Sequence, residues 1–233
     1  LVSKVCNIQM VQVATDVITS EFTGRPSPVA DLHERTFSHF GVKEAVFPFN
    51  MFPEVDPVLG PEMRSTGEVL GLASTVGEAF LKAQEATQTA IPSEGTVLMS
   101  VSDRDKDEAA KVAQAFVDAG FAVVATKGTC ELLNEAGIKA EHINKLGEGR
   151  PNILDALANG EIAIVVNTPA SSTESHEDDS YIRKSAIKNH VPYMTTLAAA
   201  YVTAMGVKES KENEGSVVAG NSCNYSVTIH SFL

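Results

Sequence analysis

Several short apolar runs in this chain each end in residues that can hold an anion. Ser100 lies in the run 96–101 (TVLMSV), and Lys106 follows shortly after it. Thr126, Lys127, Gly128 and Thr129 follow FAVVA at 121–125, and Lys145 lies in the glycine-rich NKLGEGRP with Arg150 in reach. Asn167 and Thr168 end EIAIVV at 161–166, while Tyr193, Thr195 and Thr196 end the last apolar segment. Hydroxyls, an amide and ammonium groups are the chemistry of gripping phosphate or a small polar molecule. If a helix begins near Gly128, its free N–H groups and partial positive charge add to that grip, and a glycine lets the backbone come close. Plainer accounts stand beside this one. Thr129 can simply cap its own helix. Lys106 in a first helical turn opposes the macrodipole, and Asp103, Asp105, Asp107 or Glu108 can pair with it as a solvated charge cluster. Singly the plain accounts suffice; five convergent ends together favour a phosphorylated or small polar ligand.

No nucleophile with a paired base is legible. His142, His176 and His190 stand apart from any Ser or Cys motif, and His33 and His39 fall in a loop-like stretch. Glu54, Asp56 and Glu62 lie among prolines and read as solvated turns, and neither a Walker sequence nor GxGxxG occurs. We therefore assign no catalytic residue and no metal ligand.

The elements that must position these ends alternate strictly after about Pro92. Strands are expected at 96–101, 121–125, 140–143, 161–166 and 192–195, and helices at 105–119, 129–136, 151–158, 178–189 and 196–205. Gly120, Gly137 and Gly160 stand where helices stop. Short apolar strands without alternation fit a parallel sheet covered on both faces, hence a doubly wound α/β domain whose ligands collect at the carboxyl ends of the strands. Before Pro92 the spacing predicts a helix over 8–22 with one apolar face, then GRPSP as loop. Strands are expected at 42–49 and 66–73, where Pro48, Pro53, Pro57 and Pro61 forbid a regular ladder between them. A helix starts at Thr75 with Glu78 as capping-box partner, and 87–95 (TQTAIPSEG) is the linker. From Lys208 the pattern fails, so 208–233 reads as a disordered tail, an artificial addition or an extra strand.

Two hundred and thirty-three residues are enough for one or two domains. A net charge of −12 excludes a phosphate-backbone binder of DNA or RNA, though not a local anion site. Cys6, Cys130 and Cys223 share no metal spacing and fit a reducing compartment. No run reaches the roughly 18 apolar residues of a membrane helix. No secretory signal opens the chain, which begins on Leu1 as an excised piece would.

The block 42–73 is too particular for generic patterning. LVSK at 1–4, VKEAVFPFN at 42–50, GPEMRSTGE at 60–68, ATKGT at 125–129, NKLGEGRPNILD at 144–155 and IRKSAI at 182–187 resemble the large chain of carbamoyl-phosphate synthase, over about residues 1–207. The resemblance implies an α/β fold in two parts. Residues 1–91 are similar to the end of the second ATP-grasp unit, an α+β remnant. Residues 95–207 are similar to the allosteric domain, a methylglyoxal-synthase-like doubly wound sheet of five parallel strands. It implies a regulatory part of a cytoplasmic ATP-dependent ligase serving pyrimidine and arginine biosynthesis. The family's metal ligands and ATP-binding lysines match nothing here, so no cofactor is expected on this piece, with ATP and Mg or Mn serving the full enzyme. Implied partners are the rest of the large chain, the glutaminase small chain and further copies of the chain. By position, Ser100, Lys106, Thr126, Gly128, Thr129, Lys145, Asn167 and Thr168 match the effector site, which in bacterial enzymes takes uridine or inosine monophosphate. Glu44, Tyr193 and Thr195 match contacts to ornithine. Pro169 departs from the pattern, and Ser172 and Thr173 stand where a basic pair is expected. The alternatives are a free-standing methylglyoxal-synthase-like enzyme, opposed by the lack of a GGD loop, and an interaction domain that binds no effector.

Overall fold

A computed structural model describes residues 1–31, 36–47, 49, 62–87, 89–169 and 173–217, with the side chains at 30–31, 173–177 and 214–217 excepted. His33, Pro48, Pro53, Glu54, Asp56, Pro57, Pro61, Ser172 and residues 218–233 fall outside the described residues, as do the side chains of Thr173 and His176.

Five strands, β3 (Gly95–Ser100), β4 (Phe121–Ala125), β5 (Glu141–His142), β6 (Ile164–Asn167) and β7 (Tyr193–Met194), form one parallel sheet in the order β5-β4-β3-β6-β7. Alternation along the strands sorts the core. Val97, Met99, Val123, Ala125 and Val166 face one way, toward α4 (Lys106–Asp118), α5 (Lys127–Glu135) and α8 (Leu197–Val217). Leu98 and Val165 face the other way, toward α6 (Ile153–Ala158) and α7 (Thr173–Lys188). Both faces are thus dry, as uninterrupted apolar strands require. Gly120, Gly137 and Gly160 do end helices, each at positive φ. The strand order reverses between β3 and β6, and that point places Ser100 beside Asn167.

The first part of the chain comprises α1 (Val2–Val5), α2 (Met10–Thr23), a 3-10 turn at Pro28–Asp31, β1 (Phe40–Val46) and β2 (Gly67–Ala73), then α3 (Val76–Ala86). Contrary to the sequence expectation, β1 and β2 form an unbroken antiparallel ladder from Phe40↔Ala73 to Val46↔Gly67. The prolines all fall beyond the paired residues, so they interrupt nothing. The apolar side of α2 is present but uncovered, with Val11, Ile18 and Phe22 exposed.

Two further expectations are corrected. Thr75 caps α3 by accepting from Glu78 N–H, but the Glu78 carboxylate turns to Lys82 at 3.1 Å, so no reciprocal box forms there. A full capping box forms instead at Asn152 and Asp155. And α8 does not stop near 205 but continues to Val217. Tertiary contacts hold the polar stretch in helix: Thr75 Oγ1 donates to Glu209 at 2.6 Å, and Lys211 Nζ donates to the Ala119 carbonyl at 2.6 Å. No helix among the described residues is long and apolar enough to cross a membrane.

Glycines set how closely α3 packs. A Cβ on Gly206 would stand 2.8 Å from Leu81 Cγ, and one on Gly77 would stand 2.8 Å from Gly206 Cα. Gly71 lets the other side of α3 lie directly on β2, where a Cβ would collide with the Ala79 carbonyl. The helix therefore bridges the small hairpin and α8. Gly206→Val is expected to destabilise the chain by about 1–3 kcal/mol in a denaturant titration, the cost of overpacking. Gly147→Ala, with open space around it, is expected to be close to neutral.

Candidate functional site

The strand ends converge through hydrogen bonds that continue the sheet into its loops. Thr126 N–H donates to the Met99 carbonyl, and Thr168 N–H to that of Ser100. Thr129 Oγ1 then accepts from Val101 N–H at 3.2 Å, and Thr168 Oγ1 from Ser102 N–H at 2.8 Å. Two hydroxyls from different elements thus pin the loop between β3 and α4. Thr126 Oγ1 reaches Ser100 Oγ at 3.5 Å. The expectation that Thr129 caps its own helix is corrected. The helix begins at Lys127, and Thr129 spends its oxygen on the neighbouring loop.

Ser100, Thr126, Thr129, Asn167 and Thr168 are all buried, so they form the floor of the site and not an open rim. Asn167 Oδ1 is buried without a hydrogen-bond partner, and a buried unmatched acceptor is costly. Above this floor lie the accessible groups. Gly128 is exposed in the first turn of α5. A Cβ on it would stand 3.4 Å from Lys106 Nζ, so the ammonium lies against the start of that helix. Lys106 pairs with Asp103 at 2.6 Å. This bond holds the Asp103 carboxyl below its usual range, and the charge of Lys145 pulls in the same direction. Lys145 is half-buried, in a turn closed by its own N–H to Glu148 at 2.9 Å. Arg150 instead reaches Asp155 at 2.8 Å.

The second expected group is not drawn together to the same degree. Tyr193 is partly buried, with the Arg183 guanidinium 6.0 Å from its ring, and burial raises its hydroxyl above the ordinary tyrosine value. Thr195 and Thr196 line an open cleft of about 380 Å³ with Arg104, Asp105, Asp107 and Glu108. Glu44 lies on β1, and no described contact joins it to Tyr193 or Thr195. Its carboxyl is raised by burial, only partly offset by the Ala45 N–H. Two features were missed in the sequence. Asp105 orders the β3–α4 loop by accepting from Ser102 Oγ at 2.7 Å, and Arg183 Nε is buried without a hydrogen-bond partner among the described residues. No group of three His, Cys, Asp or Glu among the described residues is placed to hold a metal ion.

With this geometry in hand, the comparisons are specific. Residues 108–195 match the model of the MGS-like domain. The chain is 42% identical over 221 residues to the carbamoyl phosphate synthase large chain of Acidobacterium capsulatum, covering 93% of this chain and 20% of that one. It is 45% identical over 173 residues to the large chain's C-terminal section in Aquifex aeolicus, covering 74% and 32%, and 49% identical over 175 residues to the Pasteurella multocida large chain, covering 75% and 16%. The chain matches the C-terminal section of carbamoyl phosphate synthase large chains, with an MGS-like domain. It spans about a fifth of the length of the Acidobacterium large chain.

Thr129→Val leaves the buried Val101 N–H without its acceptor and is expected to cost about 1–3 kcal/mol of folding stability, while Thr129→Ser retains most of it. Glu44 supplies a pH test. A carboxyl raised in the folded state binds its proton more tightly there, so stability falls as pH rises from the ordinary carboxylate value through the raised one. Glu44→Gln is accordingly expected to raise the thermal midpoint at neutral pH, with the gain vanishing at pH below about 4.

Proposed function

We propose that this chain is the regulatory C-terminal part of a carbamoyl phosphate synthase, binding a nucleoside monophosphate at the carboxyl ends of the parallel strands. The observation that carries this reading is the Lys106 ammonium set against Gly128 at the start of α5, above buried hydroxyls and the unmatched Asn167 oxygen. An ammonium and a helix N-terminus repel one another, a repulsion that the exposed Asp103 carboxylate offsets in this structure. A phosphate accepts from both, and Lys145 adds a second cation within reach of Asp103. In this reading residues 1–91 are the end of the second ATP-grasp unit and 95–207 the allosteric domain. Half-buried Glu44, without a described cation beside it, is suited to the amino group of an ornithine-type effector shared with Tyr193 and Thr195. Carbamoyl phosphate synthesis itself belongs to the full cytoplasmic enzyme, with ATP, Mg or Mn, the rest of the large chain and the glutaminase small chain. The isolated chain is expected to lack ATP hydrolysis.

Titration calorimetry with uridine and inosine monophosphate tests the reading. One nucleotide is expected to bind, and Lys145→Ala to weaken it by about 1.5–3 kcal/mol, the range for a hydrogen bond to a charged group. Equal affinity in the variant would return Lys145 to the solvated surface.

A further inference from the structure

We infer that Asp103 is a built-in competitor of the bound phosphate, its carboxylate neutralising Lys106 until a more highly charged ligand displaces it. This rests on the anion-site reading above and adds how that site is gated. The Asp103 side chain is 93% exposed and that of Lys106 is 31% exposed, yet the two meet at 2.6 Å. The carboxylate thus reaches in from solvent to a cation that is itself held against the start of α5. The loop does not need Asp103 for its own shape. Asp105 accepts from Ser102 Oγ, and the hydroxyls of Thr129 and Thr168 secure the Val101 and Ser102 N–H groups. Among the described residues the Asp103 side chain bonds to Lys106, and Lys145 attracts it further. A carboxylate carries one charge and a phosphate monoester close to two at neutral pH. A dianion therefore outcompetes the resident carboxylate where a monoanion or a neutral nucleoside does not. An exposed ion pair is weak enough to be exchanged, so the competition is modest and reversible.

The test is calorimetry with uridine monophosphate at fixed ionic strength on the wild-type chain and on Asp103→Asn, Asp103→Glu, Asp107→Asn and Lys145→Ala. Asp107 is exposed in the first turn of α4 and forms none of the described ion pairs, so it controls for charge removal alone. Asp103→Asn is expected to tighten binding about two- to fivefold, the scale of an exposed pair. Asp103→Glu is expected to restore wild-type affinity, and Asp107→Asn to change it less than Asp103→Asn does. Unchanged or weaker binding by Asp103→Asn, equal tightening by Asp107→Asn, or failure of Asp103→Glu to restore affinity would each overturn the inference. If binding in the wild type is lost in Lys145→Ala but untouched in Asp103→Asn, only the competitor role falls. If neither wild type nor Asp103→Asn binds, the anion site falls with it.

Discussion

Two positive poles lie side by side at the carboxyl edge of the parallel sheet, and the surrounding architecture holds them there. One is the Lys106 ammonium; the other is the first turn of α5 at Gly128. The backbone that carries each pole is fixed from below. Lys106 follows a loop whose N–H groups are claimed by Thr129 and Thr168, and α5 is anchored through buried Cys130 and Leu133. The parallel sheet makes this possible by delivering β3, β4 and β6 to the same edge. Burial of apolar strands on both faces stabilises the sheet, and the electrostatic tension is confined to its end.

From that edge the packing runs continuously toward the small hairpin. The α8 helix begins just after β7, lies on α4 and the sheet, and touches α3 through the Gly77–Gly206 approach and the Thr75–Glu209 hydrogen bond. The α3 helix lies in turn on β2 at Gly71. A ligand that changed the preferred loop geometry at the strand ends would act on rigid, closely packed elements rather than on a flexible linker. Such packing transmits a bias only where the ligand distinguishes two states, so the coupling belongs to the proposal and not to the contacts themselves.

Much of this was legible in the residues. Short apolar runs alternating with helical spacing, three of the helices stopping at Gly120, Gly137 and Gly160, locate the five strands, and the polar residues after them mark where the ends converge. What escaped was set by tertiary contact. The polar stretch after Lys208 has no helical period, yet Glu209 and Lys211 find partners on other elements and α8 continues to Val217. Thr129 looked like a cap because its type and position suited one, but the sheet brings Val101 within reach of its oxygen. Asp103 stands three residues before Lys106, a spacing visible in the sequence, but its separation from the loop's own scaffold required the contacts of Asp105. Charges that pair across local turns are readable only as possibilities until the backbone decides which acceptor is nearest.

The most direct measurement is amide chemical-shift mapping of the isotopically labelled chain titrated with uridine monophosphate. An anion site at this edge predicts the largest perturbations at Val101, Ser102, Gly128, Thr129 and Cys130, saturating together with one affinity. Perturbations centred instead on Thr195–Ala198 and the acidic start of α4, with Gly128 and Thr129 unmoved, would contradict it.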